Sequence, residues 1–484
     1  MMQSGDYVAI RLFEQAYLRK PPGMPWAVAL STWLLGAGEF ASRFVSAAAV
    51  AAGALLSLLF AQRWFGRPFG LIAGLAFVLA PAFWWYPPIA RSAEIEALHN
   101  LFVVAGALCI LQTLLPLPFG ESRSWARIWP VALLTTVALT GALFTKGPAG
   151  VPVFAAACIA GWIIRARSGQ RSRDGTGVWL ASLVPFVIAL GLLGWWAWAA
   201  HRRVSGESIV VESPTLFLFR PQQLLEIASL PIAVLIAALP TSLGVLAIAW
   251  HRRSATEQAG SVMRSRAALA LALTIVLAVL GYMLTGVSNN RYALPAIALM
   301  PAACGAGAWV LVQRARTFAV LERHREKIRL RRLAWIMFTL LLSAAIFSAW
   351  YGEHRRNTRT SGKAFGVELG AYFTHPGELW ADQVIDTRPE VVMAAVQVAG
   401  ARNIAIRPRW MPVSLWRREH GEASVPLPPA GSYLLLRTDD LPRRDQYELD
   451  EEREYAPVME QLREVHRGMV HNFEYRLYEV VAKD

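Results

Sequence analysis

The sequence predicts a mainly α-helical, polytopic membrane protein of about ten spans, followed by a small C-terminal external domain of α/β or α+β type. Three observations predict it. The 484 residues are 55% hydrophobic and only 17% charged, with a mean hydropathy of +0.36, whereas soluble domains carry roughly a quarter charged residues. Apolar runs long enough to cross the hydrocarbon as helix recur from residue 41 to residue 351. Charge is also split along the chain: residues 1–352 hold 30 Lys+Arg against 13 Asp+Glu, and residues 353–484 hold 18 against 21. The net charge of +14 thus resides wholly in the apolar part, where membrane topology explains it, and nucleic acid is excluded as a partner.

In chain order, Met24–Gly38 is apolar but short and carries Pro25 and Ser31. It reads as an interfacial helix, so residues 1–40 form an interfacial N-terminal segment. Candidate spans follow at 41–61, 70–88, 97–117, 129–145, 149–164, 178–200, 227–250, 267–286, 292–312 and 333–351, the 149–164 run being the weakest. The connections 62–69, 118–128, 165–177, 251–266 and 313–332 carry 20 Lys and Arg, against 6 in the alternate connections 89–96, 146–148, 201–226 and 287–291. The first set is therefore expected on the cytoplasmic side, and the 333–351 span delivers the C-terminal region outside. This topology leaves the N-terminal 40 residues outside, which favours an earlier membrane helix upstream of this sequence. Residues 1–352 thus form the membrane domain and 353–484 the external one. In the latter we expect a helix at Pro389–Ala399 and strands at Asn403–Ile406, Tyr433–Arg437 and Phe473–Val481. A charged helix is expected around Glu448–Arg467, interrupted at Pro457. The three cysteines, Cys109, Cys158 and Cys304, all lie in apolar runs and offer neither a disulfide framework nor a zinc site.

Unusual residues collect on the expected outer face. Only five of the 48 basic residues are Lys, and two of them, Lys20 and Lys146, stand at outer membrane boundaries beside Pro21-Pro22 and Gly147-Pro148. A lysine ammonium is a compact charge able to meet a phosphate; either lysine can equally snorkel to the interface. Arg91-Ser92-Ala93-Glu94-Ile95-Glu96 lies where the second run meets the outer surface. Ser92 can cap the next helix, with Glu94 complementing its dipole. Glu96 points to another side of that helix, so at most one of the two carboxylates reaches a substrate. Arg291 offers a planar fork suited to phosphate and Tyr292 a ring that can stack or donate, although an aromatic-belt residue beside an interfacial Arg has the same appearance. No glycine-rich phosphate loop, HExxH or GxSxG string is present.

These pieces resemble the membrane glycosyltransferases of the GT-C type, in the bacterial branch related to protein O-mannosyltransferases and to the 4-amino-4-deoxy-L-arabinose lipid A transferase. The resemblance is carried by Ser4-Gly5-Asp6-Tyr7, Lys20-Pro21-Pro22 with Trp26, Leu35-Gly36, Glu39-Phe40 and Arg43. It continues with the Arg91–Glu96, Lys146–Pro148 and Arg291–Pro295 strings in the same order. It covers roughly residues 4–350. It implies a sugar donor linked to polyprenyl phosphate, entering from membrane lipids, and a glycan, lipid or protein acceptor. Transfer inverts the sugar carbon and takes place on the periplasmic face of a bacterial inner membrane. By motif, Lys20 would bind the lipid phosphate with Arg291 and Tyr292 in support, and Glu94 or Glu96 would be the second acidic position. The family's principal Asp-Glu pair lies upstream of the Ser4-Gly5-Asp6-Tyr7 string, outside this sequence; a wrongly chosen start or a loss of activity accounts for that equally. Arg19 stands where the lipid A transferase has a metal-site acid, so no metal ligand is assigned and a divalent cation stays open as a cofactor. The alternative reading is a lipid-linked-sugar transporter or a noncatalytic membrane binding protein.

Overall fold

The computed structural model of the chain describes residues 5–12, 15–16, 18, 20–84, 95–115, 125–168, 175–204, 224–250, 259–285, 292–318, scattered residues between 339 and 350, and 362–381, 389–410, 427–438, 460–470 and 473–482. A two-stranded ribbon pairs β1 (Arg11–Leu12) with β2 (Gln15–Ala16). Helix α1 (Gly23–Leu35) has 13 residues, too few to cross a bilayer. Its Leu30, Trp33 and Leu34 are exposed, and the Ser31 hydroxyl donates to the Ala41 carbonyl at 2.6 Å, tying it to the next helix.

Helices α2 (Glu39–Phe65) and α3 (Arg67–Val78) form a hairpin whose turn is Gly66, at φ 106°. They approach closely because Gly70 and Gly74 sit against Leu58, and Gly53 against Phe77; small residues substitute for a hydrophobic drive between helices in lipid. The one-turn α4 (Pro81–Trp84) follows. Next come α5 (Ile95–Leu114), α6 (Trp125–Lys146) and α7 (Val151–Arg167), the last two joined by the 3-10 turn Gly147–Gly150. By length and composition, residues 128–167 make one apolar stretch of 40 residues, yet the packing resolves it into two spans. Along α5, Glu96 meets Lys146, His99 meets Ala142 and Phe102 meets Gly141, so α6 runs antiparallel to α5. Gly106 meets Phe154 and Leu114 meets Gly161, so α7 runs parallel to it. The chain reverses at Gly147, at φ 61°, as the separate 129–145 and 149–164 runs predict.

Helix α8 spans Gly175–Arg203. The 227–250 run, expected as one span, is instead two helices, α9 (Leu224–Ala237) and α10 (Ser242–Ala249), bent by 106°. Pro240 lies in the break, where it can supply no backbone donor to continue the helix. Helix α11 (Ala259–Leu284), the short α12 (Leu294–Ile297) and α13 (Met300–Phe318) complete the described membrane part. Helix α13 is central: Gly305 packs on the Phe69 carbonyl and Ala73 of α3, and Gly307 on Gly244 of α10. Each predicted run up to residue 312 overlaps a described helix or helix pair, and among the described residues six helices, or seven with the bent pair, are long and apolar enough to cross a membrane. The 70–88 run is the shortfall: it gives the 12-residue α3 and the one-turn α4 rather than one full-length helix. Only scattered residues of the 333–351 run are described. The chain is a multi-pass membrane protein.

The two ends of the bundle are distinct. At one, Arg314 donates to the Trp250 carbonyl at 3.2 Å with its guanidinium over that ring, Trp64 donates to Gln112, and Trp162 stacks on Trp179. Together with Gly161 against Leu114 and Phe65 beside Trp309, these contacts bring the described helix ends that flank the basic connections to one end of the bundle. At the other, the Asp6 carboxylate accepts from Arg203 at 2.8 Å, and the Trp196 and Trp26 indoles donate to the carbonyls of Val8 and Tyr7.

The C-terminal region is a helix-covered mixed sheet with its own core. In chain order it comprises α14 (Gly362–Gly370), β3 (Gly377–Ala381), α15 (Pro389–Ala401), β4 (Ile406–Trp410), β5 (Tyr433–Thr438), β6 (Leu462–Val470) and β7 (Phe473–Val480). The strand order is β4-β3-β5-β7-β6, with β3 parallel to both neighbours and β7 antiparallel to both of its own. Phe365, Leu369, Val391, Ala395, Leu379, Tyr433 and Leu477 close the core between helices and sheet. The expected helix at 389–399 and strands at 433–437 and 473–481 are present. The expected strand at 403–406 begins instead at Ile406, because Asn403 adopts φ 61° in the turn after α15. The charged helix expected to reach Arg467 is corrected: Leu462–Arg467 is strand, hydrogen-bonded to β7. Cross-strand pairing overrides the helical propensity of its charged residues. The 448–459 part of that expectation lies outside the described residues.

Candidate active site

Three of the residues singled out from sequence meet at the non-basic end of the bundle. Glu96 opens the first turn of α5, and Lys146 closes α6. Antiparallel packing of these helices brings the Lys146 Nζ to 3.2 Å from the Glu96 Oε1, with side chains only 9% and 3% exposed. The Tyr292 ring, just ahead of α12, lies 5.0 Å from the same ammonium, centroid to nitrogen, within cation–π range. Ionised groups at membrane depth are costly, and those present line sites and pathways. A buried pair is weak evidence for stability, because the desolvation cost offsets the attraction.

The turn that carries Lys146 is itself fastened. Tyr282, near the end of α11, donates its hydroxyl to the Ala149 carbonyl at 2.8 Å. Gly147 supplies the positive φ that the reversal requires.

Lys20 is partly buried and precedes Pro21-Pro22. Its turn packs on the same end of α6: a Cβ at Gly23 would lie 2.7 Å from the Phe144 carbonyl oxygen, two residues before Lys146. Trp26 stacks on Phe144 at 5.5 Å. The structure thus brings the Lys-Pro-Pro and Lys-Gly-Pro strings to one place, though they are separated by more than a hundred residues. Glu94, Arg91 and Arg291 lie outside the described residues. Asp6 is engaged elsewhere. Its carboxylate accepts from the backbone N–H groups of Val8 and Ala9 and from Arg203. Partial burial opposes ionisation, but these donors, the backbone ones first, hold the Asp6 carboxyl below its usual value.

Sequence reasoning missed His99 and Asn100. Both are 1% exposed in the first turns of α5. The signal was available: Glu96, His99 and Asn100 stand at i, i+3 and i+4 in an otherwise apolar span, one polar stripe on one helix face. Among the described residues no group of three or more His, Cys, Asp or Glu side chains is placed to hold a metal ion.

The fold and site define a polytopic membrane protein with a charged, partly buried site at one end of its helices. The family model for dolichyl-phosphate-mannose-protein mannosyltransferase matches residues 19–195, a stretch that includes Lys20, Glu96 and Lys146. The chain is similar in structure to ArnT from Cupriavidus metallidurans bound to undecaprenyl phosphate, at 16% identity and TM-score 0.57 over 99% of this chain and 91% of that one. The apo state of the same protein gives 15% identity and TM-score 0.58 over the same shares. The archaeal oligosaccharyltransferase AglB from Archaeoglobus fulgidus, in complex with an inhibitory peptide and a dolichol-phosphate, gives 10% identity and TM-score 0.41 over 78% of this chain and 56% of that one. No curated protein matches by sequence. The chain thus resembles the GT-C membrane glycosyltransferases, in sequence over residues 19–195 and in its ArnT-like fold.

Proposed function

We propose that the protein transfers a glycosyl group from a polyprenyl-phosphate-linked donor to a glycan, lipid or protein acceptor on the external face of a bacterial inner membrane. The observation that carries this reading is the buried Lys146–Glu96 pair beneath Tyr292, with the Lys20 turn packed on the same end of α6. An acceptor oxygen attacks the anomeric carbon as its proton passes to a base. The bond from that carbon to the phosphate oxygen breaks, and the electron pair leaves with the lipid phosphate. Negative charge develops on that oxygen, so fixed cations beside it lower the barrier. Lys146 and Lys20 supply them, with Arg291 and Tyr292 in support. Glu96 holds Lys146 in place, and Glu94 stays the second acidic candidate from the sequence. The 353–484 region lies on the same external side.

The test is transfer of radiolabelled sugar from a polyprenyl-phosphate donor in membranes containing the full chain, compared with Lys20→Ala and Lys146→Met. Transfer that falls about 10²-fold or more in both variants supports the reading. Undiminished transfer by Lys20→Ala removes the phosphate role of Lys20. Flipping of the lipid-linked sugar without transfer would establish the transporter reading instead.

A further inference from the structure

The polar cluster extends one helical turn deeper than the charged pair, and its deeper members are neutral. His99 and Asn100 follow Glu96 by three and four residues, about 4.5–6 Å of helical rise. The His99 Nδ1 lies 3.2 Å from the Ala142 carbonyl oxygen. A carbonyl only accepts, so Nδ1 carries the hydrogen, and in the neutral ring Nε2 presents a lone pair. That Nε2 has no hydrogen-bond partner among the described residues, and neither Asn100 Oδ1 nor Nδ2 has one. Gly150 lies beside the ring: a Cβ there would only touch the His99 Cε1, at 3.4 Å, but would crowd Val103 at 2.8 Å. Two adjacent side chains, 99% buried, therefore offer two acceptors and an amide donor that nothing among the described residues meets. Buried polar groups are rarely left so unless a ligand or water completes them.

The chemistry of the vacant valences selects the ligand. A phosphate brings acceptors only and cannot satisfy the Nε2 lone pair or the Asn100 carbonyl. A hydroxyl both donates and accepts and satisfies either. We propose that His99 and Asn100 form a hydroxyl-binding floor that takes the sugar of the donor, below the cations that take its phosphate. This rests on the donor-lipid reading above and deepens it: the charged rim recognises the carrier, and the neutral floor recognises what it carries. Ordered water has the same hydroxyl chemistry and is the competing occupant.

The test uses the full chain in lipid nanodiscs with defined probes: undecaprenyl phosphate and its glucosyl, mannosyl and 4-aminopentosyl esters. The wild-type protein is expected to bind at least one sugar ester about ten-fold or more tightly than the bare phosphate, since a site built to pair hydroxyls discriminates against a ligand lacking them. Asn100→Leu is expected to erase that preference while leaving affinity for the bare phosphate unchanged. It should also raise the ligand-free melting temperature, because it removes an unsatisfied buried amide. A merely structural amide would lower it. Asn100→Ala, read in the same way, serves if the leucine variant does not accumulate. The inference is overturned if Asn100→Leu or Asn100→Ala weakens all probes alike, keeps the sugar preference, or melts lower without ligand. It is also overturned if the wild type shows no preference for any sugar ester, which is the result a water-filled floor gives. Binding of none of the probes by the wild type overturns the donor-lipid reading as well, so the two failures are distinct.

Discussion

Replacing Lys146 with methionine separates the two roles of the Lys146–Glu96 pair. The methionine keeps the length of the stem and removes the ammonium that stands 3.2 Å from a carboxylate only 3% exposed. Removing one partner of a buried ion pair costs about 3–5 kcal/mol, because the other charge is left in a medium that solvates it poorly. Glu96→Gln alone leaves the ammonium in the same position and is expected to destabilise as well. The double variant removes both charges of the pair. Since a buried pair is near neutral against a well-packed uncharged replacement, it should be more stable than either single variant. Transfer behaves differently. If Lys146 meets the leaving phosphate, the double variant recovers the fold and stays about 10²–10³-fold slower than the wild type. Thermal melting in detergent and sugar transfer in membranes, on the same four proteins, read both quantities. Additive stability losses would refute the coupling, and recovery of transfer in the double variant would refute the phosphate role.

Tyr282→Phe removes only the hydroxyl that holds Ala149, and should cost about 1 kcal/mol of stability and raise KM for the donor more than it lowers kcat. Gly244→Ala places a Cβ 2.6 Å from the Ala303 carbonyl oxygen, so α10 and α13 must part, with an expected loss of about 1–3 kcal/mol or more by melting. In the C-terminal domain, His375 is held above its usual 6.5 by the Pro376 carbonyl and Glu479, while Arg463 and His375 hold Glu479 below its usual 4.5 against its partial burial. The His375 contribution is complete below pH 6.5 and is lost as the pH rises through its raised value, whereas that of Glu479 is complete above pH 4.5 and is lost as the pH falls through its lowered value. The pair should stabilise most between those values, by under about 1 kcal/mol given its exposure; a melting profile of His375→Gln that stays parallel to that of the wild type as the pH rises from 6.5 through the raised value of His375 would contradict it. Asp6→Asn should loosen the N-terminal segment at neutral pH, seen as faster proteolysis before Pro21. In the wild type the same loosening should appear only as the pH falls through the lowered value of Asp6.

The membrane helices were legible because a span imposes one strong requirement, an uninterrupted apolar run, and the chain repeats it. Where that requirement is silent, the sequence was ambiguous. Residues 227–250 carry no charge, and the bend that the structure makes there falls at Pro240, while Pro231 lies within α9 without breaking it. The strand at Leu462–Val470 was unreadable as such because its partner fixes it: Arg463 and Glu464 are both exposed and the register shifts between Glu464 and His466, so no in–out alternation marks it and only the pairing to β7 makes it a strand. In the site, Lys146 and Glu96 could be named one by one, but their pairing depends on the register of α5 against α6, set by contacts such as Gly141 on Phe102. His99 and Asn100 escaped because each, read singly, looks like an ordinary polar residue near a helix start.

The N-terminal segment has a consequence for the order in which the protein is made. Its fastenings, Trp196 to Val8 and Arg203 to Asp6, join residues 188 and 197 positions apart. Asp6 and Val8 therefore lack these two partners until the far end of α8 has emerged on the same side of the membrane. The Lys20 turn rests on α6 itself, through Gly23 and Trp26 against Phe144, and can dock as soon as α6 is made. A nascent chain halted between residues 146 and 196 would therefore hold Glu96 and Lys146 paired and the Lys-Pro-Pro turn docked, with the residues ahead of that turn still unfastened to α8.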